Sequence, residues 1–178
     1  MSDWKKLSSR IVYENAWMKV REDQVIQPGG KSGIYGVVLR KLGVGILAVN
    51  EKGQIFVQRD YKYPIGKFLL NIPAGGVEWG DEVLNSAKRE LKEEGGLTAQ
   101  KWTKLGSFYT SPGFTDEFAT LYLAEKITEG AMEHEETETL VDHQWMEPKE
   151  LYRMLDAGEL EDPYILVALA LARQYLNI

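Results

Sequence analysis

The stretch IPAGGVEWGDEVLNSAKRELKEEGGL, residues 72–97, decides how this chain is read. It begins with a glycine-containing loop, Ile72 to Gly80, where glycine lets the backbone approach a ligand closely. Asp81 to Gly95 then reads as a helix with an acidic start and a glycine end. At about 100° per residue, Val83, Leu84, Ala87 and Leu91 share one face, which suits packing on a sheet. Glu90, Glu93 and Glu94 form an adjoining stripe, because spacings of three and four bring helical side chains together. Arg89 lies beside Glu93 and can orient its carboxylate, whereas Lys88 and Lys92 fall on the far, solvated side. Three like charges on one stripe repel. Protonation or a divalent cation relieves them, and magnesium is a hard cation that takes carboxylate oxygens. Read by itself, KRELKEEGG is an ordinary solvated helix face. The glycine loop ahead of it makes a cradle for a metal and a diphosphate the alternative.

The rest of the chain supplies a sheet. Residues 1–40 read as strands, with Lys19 to Ile26 and Ile34 to Leu39 flanking the turn Gln27 to Gly33. Gly30-Lys31-Ser32 lacks the first glycine of a phosphate-binding loop, so a hairpin turn is expected there. Gly43 to Val49 and Gln54 to Arg59 are apolar and β-branched and read as a buried hairpin. Further strands are expected at Phe68 to Ile72, Trp102 to Tyr109, Phe118 to Ile127 and Leu140 to Met146. An acidic loop fills 128–139. Pro148 starts a short helix that Gly158 ends, and Asp162 caps a last helix with Pro163 at its first position. The order is mixed α and β, with helices covering an internal sheet.

Composition narrows the function. The 178 residues carry a net charge of −6, which argues against nucleic acid as a partner. No cysteine is present, which excludes disulfides, thiolate metal sites and a cysteine nucleophile. The N-terminal residues contain no signal-like apolar stretch, and the longest apolar run, Tyr164 to Ala172, is too short to span a bilayer. A cytoplasmic protein without membrane association is expected.

The 72–97 segment resembles the Nudix box, G-x5-E-x7-R-E-U-x-E-E-x-G-U, where U is aliphatic. Gly75 opens it, and Arg89, Glu90, Leu91, Glu93, Glu94, Gly96 and Leu97 complete it. Asp81 replaces the first glutamate, and Gly95 stands where many relatives have threonine. Pro73-Ala74-Gly75 and Ser111-Pro112-Gly113-Phe114-Thr115-Asp116-Glu117 resemble markers of the ADP-ribose pyrophosphatase and nucleoside diphosphate sugar hydrolase branch. Asn71 and Lys62 depart from that branch, which commonly has glutamate and arginine there. Lysine cannot form the arginine fork to a phosphate.

The resemblance implies an α/β fold, an α/β/α sandwich around a mixed β-sheet. It also implies an N-terminal β-rich segment, residues 1–40, that forms a homodimer, ahead of a hydrolase domain over 41–178. The implied activity is Mg²⁺-dependent hydrolysis of nucleoside diphosphate sugars such as ADP-ribose, with Mn²⁺ as a possible substitute. GDP-mannose or a broad range of nucleotide sugars is the alternative, and an inactive nucleotide-sugar binding module is the alternative class. Glu90, Glu93, Glu94 and the Ala74 carbonyl are the implied metal ligands. The catalytic base is expected in the acidic loop holding Glu135, Glu136 and Glu138, with Glu136 favoured over Glu138. Trp17, Arg59, Lys62, Phe114 and Glu117 are the expected substrate contacts, with dimer-interface packing the alternative for Trp17 and a solvated strand end the alternative for Arg59 and Lys62. His134 and His143 show no ligand spacing.

Overall fold

Alternation along two buried strands explains the layering of the fold. In β4 (Gly43–Ala48), Leu47 joins one hydrophobic cluster while Val44, Ile46 and Ala48 join another. In β5 (Ile55–Lys62), Ile55 and Val57 go to the first cluster and Phe56 to the second. Successive side chains of a strand point to opposite faces, so each of these strands separates two cores. α2 (Pro148–Asp156) and α3 (Pro163–Ala172) fill the first core with Leu151, Ile165 and Leu169. α1 (Val83–Gly95) fills the second with Ala87 and Leu91. Burying a side chain such as Leu91, which is fully inaccessible, contributes about 1.5–3 kcal/mol.

The computed structural model describes residues 3–131 and 140–176, and side chains at 140 and 141 lie outside the description. The chain divides into two units. The first comprises Met1–Leu42 and Tyr109–Phe118. Within it β1 (Lys5–Glu14), β2 (Lys19–Ile26) and β3 (Ser32–Leu39) form an antiparallel sheet in the order β1-β2-β3. Every residue of β1 is exposed in the single chain. Val38 bridges to Thr115, tying the 109–118 segment to β3.

The second unit comprises Gly43–Phe108 and Ala119–Ile178. One of its sheets runs β7 (Ala74–Gly76), β4, β9 (Phe118–Glu129), β8 (Leu97–Tyr109). It is mixed, because β4 pairs antiparallel with β7 and parallel with β9. The other runs β10 (Leu140–Met146), β5, β6 (Lys67–Asn71), all antiparallel. Helices on both sides of mixed sheet give the sandwich expected from the sequence.

Three local expectations change. β4 and β5 are not a hairpin. The expected turn Asn50–Gly53 joins them, with Gly53 N–H on the Asn50 carbonyl at 2.9 Å, but among the described residues they share the single bridge Val49–Ile55 and then enter different sheets. β4 and the first half of β5 are buried, and other strands flank them, β7 and β9 beside β4, β6 and β10 beside β5. The loop before α1 contains the short strand β7, which pairs Gly75 with Val44. The helix itself starts at Val83, because Glu82 is extended and Asp81 N–H closes a turn onto the Glu78 carbonyl at 3.0 Å. Its end is as expected: Gly96 adopts φ 62°, a left-handed cap for which glycine is suited. Asp162 caps α3 by accepting from Tyr164 N–H at 2.9 Å and Ile165 N–H at 3.4 Å. No helix among the described residues is long and apolar enough to cross a membrane.

Candidate active site

α1 carries two glutamates that are almost withdrawn from solvent. Glu90 and Glu94 are each 6% exposed. Ionised carboxylates are rarely buried unless paired or bound to a cation. Their position follows from the helix phase: both adjoin the Ala87–Leu91 stripe and are carried with it against β7 and β5.

Each carboxylate meets a specific cradle. Glu94 Oε2 accepts from Ala74 N–H at 2.9 Å and from Gln58 Nε2 at 2.8 Å. Glu90 packs against the backbone of Gly75 so closely that a Cβ there would collide with its carboxyl group. Arg89 binds Glu93 at 2.9 Å, Glu90 at 2.8 Å and the Gly76 carbonyl at 3.1 Å. Burial works against the Arg89 charge, yet the carboxylates of Glu90, Glu93 and Glu78 outweigh it and hold the guanidinium above its usual range. The expected Arg89–Glu93 pair is therefore present, and Arg89 also takes hold of Glu90.

A divalent cation suits this donor set, since hard oxygen ligands are what magnesium and manganese take. The missing side chain at Gly75 leaves the Glu90 carboxylate pressed against the loop backbone. Among the described residues, however, no three acidic or histidine side chains already converge on one point. The reason is visible in the contacts: Arg89 draws Glu90 and Glu93 to itself, while Glu94 is turned to Ala74 and Gln58.

A polar row extends from Glu94 along β5. Gln58, Asp60 and Lys62 share one face of β5, continuing the face that Phe56 begins. Lys62 binds Asp60 at 2.8 Å, and Asn71 Nδ2 donates to the other Asp60 oxygen at 3.0 Å. Gln58 and Asn71 face each other across β5 and β6. Both are buried, and among the described residues neither Gln58 Oε1 nor Asn71 Oδ1 has a hydrogen-bond donor. Arg59, by the same alternation, leaves the opposite face. It lines a cavity of about 320 Å³ with Phe68, Gln144, Met146, Met154 and Leu160. Arg59 and Lys62 are thus on different sides of β5, and Lys62 is engaged by Asp60.

The other expected contacts belong to the first unit. Trp17 is 78% exposed at the β1–β2 turn, where Asn15 Oδ1 accepts from Trp17 N–H and Met18 N–H, each at 2.9 Å. Phe114 is exposed, and its carbonyl accepts from Val38 N–H at 2.8 Å. Glu117 is held by Thr110 Oγ1 at 2.7 Å and by Arg40 at 3.5 Å. Glu135, Glu136, Glu138 and His134 lie outside the described residues.

Sequence reasoning missed Gln58 and Asp60. The available signal was the row of polar residues at 58, 60 and 62 following an apolar Phe56, a period-two face that turns polar inside a buried strand.

Comparison with known proteins agrees with this geometry. Residues 39–169 match the NUDIX domain, and residues 4–38 match the nucleoside diphosphate sugar hydrolase N-terminal domain. The chain is 36% identical over 124 residues to an ADP-ribose pyrophosphatase of Bacillus subtilis (strain 168), covering 70% of this chain and 67% of that protein. It is 33% identical over 165 residues to an ADP-ribose pyrophosphatase of Mycobacterium tuberculosis, covering 89% and 77%. Among solved structures, an ADP compounds hydrolase superposes with a TM-score of 0.84 over 98% of this chain and 94% of that one, at 21% identity.

Proposed function

The chain belongs to the Nudix hydrolase family, and from that premise we propose that it cleaves the diphosphate bond of ADP-ribose and related nucleoside diphosphate sugars. The products are a nucleoside monophosphate and a sugar phosphate. One observation supports this reading above the rest: two nearly buried carboxylates, Glu90 and Glu94, are pressed against the backbone of Ala74 and Gly75.

The family works with divalent metals. We assign Mg²⁺ here, with Mn²⁺ as a substitute, to Glu90 and Glu94 with the Ala74 carbonyl and Glu93. When bound, such an ion withdraws charge from the phosphorus under attack and neutralises the diphosphate. The chain's own residues do the remaining work. Arg89 holds Glu90 and Glu93 in place until the cation competes for them. Glu136, or Glu138 after it, takes the proton of the attacking water, a role that suits a carboxylate ionised at neutral pH. Trp17 stacks on the base or sugar, Phe114 and Glu117 contact the sugar side, and Lys62 attracts phosphate. The proposal includes a cytoplasmic homodimer built through residues 1–40, ahead of the hydrolase domain at 41–178.

A broader nucleotide-sugar range is the second reading, because Lys62 shares its charge with Asp60 and offers phosphate a weaker grip than an unengaged arginine. The test is a panel of ADP-ribose, GDP-mannose, UDP-glucose and dinucleotides with Mg²⁺, following phosphate-containing products. ADP-ribose should be turned over with the highest kcat/KM. Comparable rates on all nucleotide sugars would select the broader reading. Binding of ADP-ribose without turnover in either metal would select a binding module.

A further inference from the structure

We infer that Gln58 is a positioning residue for metal ligation, acting through Glu94; this deepens the metal reading above and rests on it. Gln58 is 1% exposed in the centre of β5, between Val57 and Arg59. A glutamine buried this deeply is costly unless its amide is used. Its use is specific: Nε2 donates to Glu94 Oε2 at 2.8 Å, and Ala74 N–H donates to the same oxygen at 2.9 Å. A carboxylate only accepts, so the Gln58 amide is fixed with its NH₂ toward Glu94.

The two donors restrict the carboxylate in different ways. Ala74 N–H comes from β7, whose place is set by pairing with β4. Gln58 comes from β5, in the other sheet. Together they fix rotation of the carboxyl plane from two directions. Both donors are also neutral. They hold the carboxylate by neutral hydrogen bonds, whereas Glu90 is held by the Arg89 guanidinium. Gln58 therefore sets the aim of the Glu94 carboxylate. The Gln58 carbonyl has no donor among the described residues, so the side chain bears a desolvation cost that an apolar residue would avoid.

The experiment measures Mn²⁺ binding to the substrate-free protein by electron paramagnetic resonance, for the wild type, Gln58→Leu, Gln58→Met, Glu94→Gln and Gln58→Leu with Glu94→Gln. Gln58→Met keeps an unbranched side chain and carries the comparison if Gln58→Leu does not fold. The Gln58 variants should weaken Mn²⁺ binding on the order of tenfold or more, as loss of a group that orients a ligand does. The Mg²⁺ concentration giving half-maximal ADP-ribose hydrolysis should rise by the same factor, while KM for ADP-ribose at saturating Mg²⁺ stays unchanged. In the Glu94→Gln background, Gln58→Leu should have no further effect. Unchanged Mn²⁺ affinity in the Gln58 variants, with Glu94→Gln weakened, overturns the role of Gln58 and leaves the metal site standing. Unchanged affinity in Glu94→Gln removes the metal reading itself.

Discussion

Gly75→Ala adds one methyl group at the point where the loop backbone meets the Glu90 carboxylate. The added Cβ falls within collision distance of the carboxyl carbon and both oxygens. Relief can come in two ways. The carboxylate can swing aside, which breaks its 2.8 Å contact with Arg89 and removes it from the cradle. Alternatively β7 can draw back from β4, which disturbs the Val44–Gly75 register and with it Ala74, the donor to Glu94. Overpacking of this kind costs about 1–3 kcal/mol of stability. The catalytic loss should be larger, since displacement of a catalytic group by about 1 Å can cost about 100-fold in rate, or about 2.7 kcal/mol in the barrier. Thermal unfolding and ADP-ribose hydrolysis at saturating Mg²⁺ measure the two effects separately. A folded Gly75→Ala protein with wild-type kcat/KM would show that the Glu90 carboxylate does not act where it sits.

Leu91→Ala should destabilise by about 2–5 kcal/mol, the range for a buried leucine, because Leu91 is fully inaccessible in the α1 core; denaturant unfolding checks it. Asp162 gives a pH test. Burial raises its carboxyl above the ordinary range, with Asp60 adding to the rise and with Lys62 and the amides of Ile165 and Tyr164 opposing it. A carboxylate raised in the folded state favours folding in its protonated form. Its contribution is thus lost as pH climbs from the ordinary aspartate range through the raised value. Asp162→Asn keeps the cap and should remove that loss, whereas Asp162→Ala should cost about 1 kcal/mol through the missing cap; equal stability of the two variants across pH contradicts this. Trp17→Ala should raise KM for ADP-ribose with little change in melting temperature, since the ring is largely exposed. A base stacked on an aromatic ring is worth about 1–3 kcal/mol, so an unchanged KM removes Trp17 from the substrate site.

The sandwich was legible because its signals are local. The 3.6-residue stripe through Ala87 and Leu91, the Asp162-Pro163 start and the glycine end at Gly96 each act within one element. The pairing of β4 and β5 was not. Two apolar runs joined by a turn look like a hairpin, and nothing in their own residues shows that each is saturated by strands from far along the chain. The same limit applies to the site. The glutamate stripe and the Arg89–Glu93 pair follow from helical spacing. The contacts of Glu94 with Gln58 and of Glu90 with Gly75 depend on which face of β5 meets α1 and on how closely β7 approaches, both set by tertiary packing.

Hydrolysis of ADP-ribose by the wild type, Glu90→Gln and Glu94→Gln in Mg²⁺, with AMP and ribose phosphate followed directly, tests the central claim. The wild type should release both products, and each variant should lose most of that activity while remaining folded. Variants as fast as the wild type would mean that the carboxylates of α1 do not hold the metal on which cleavage depends.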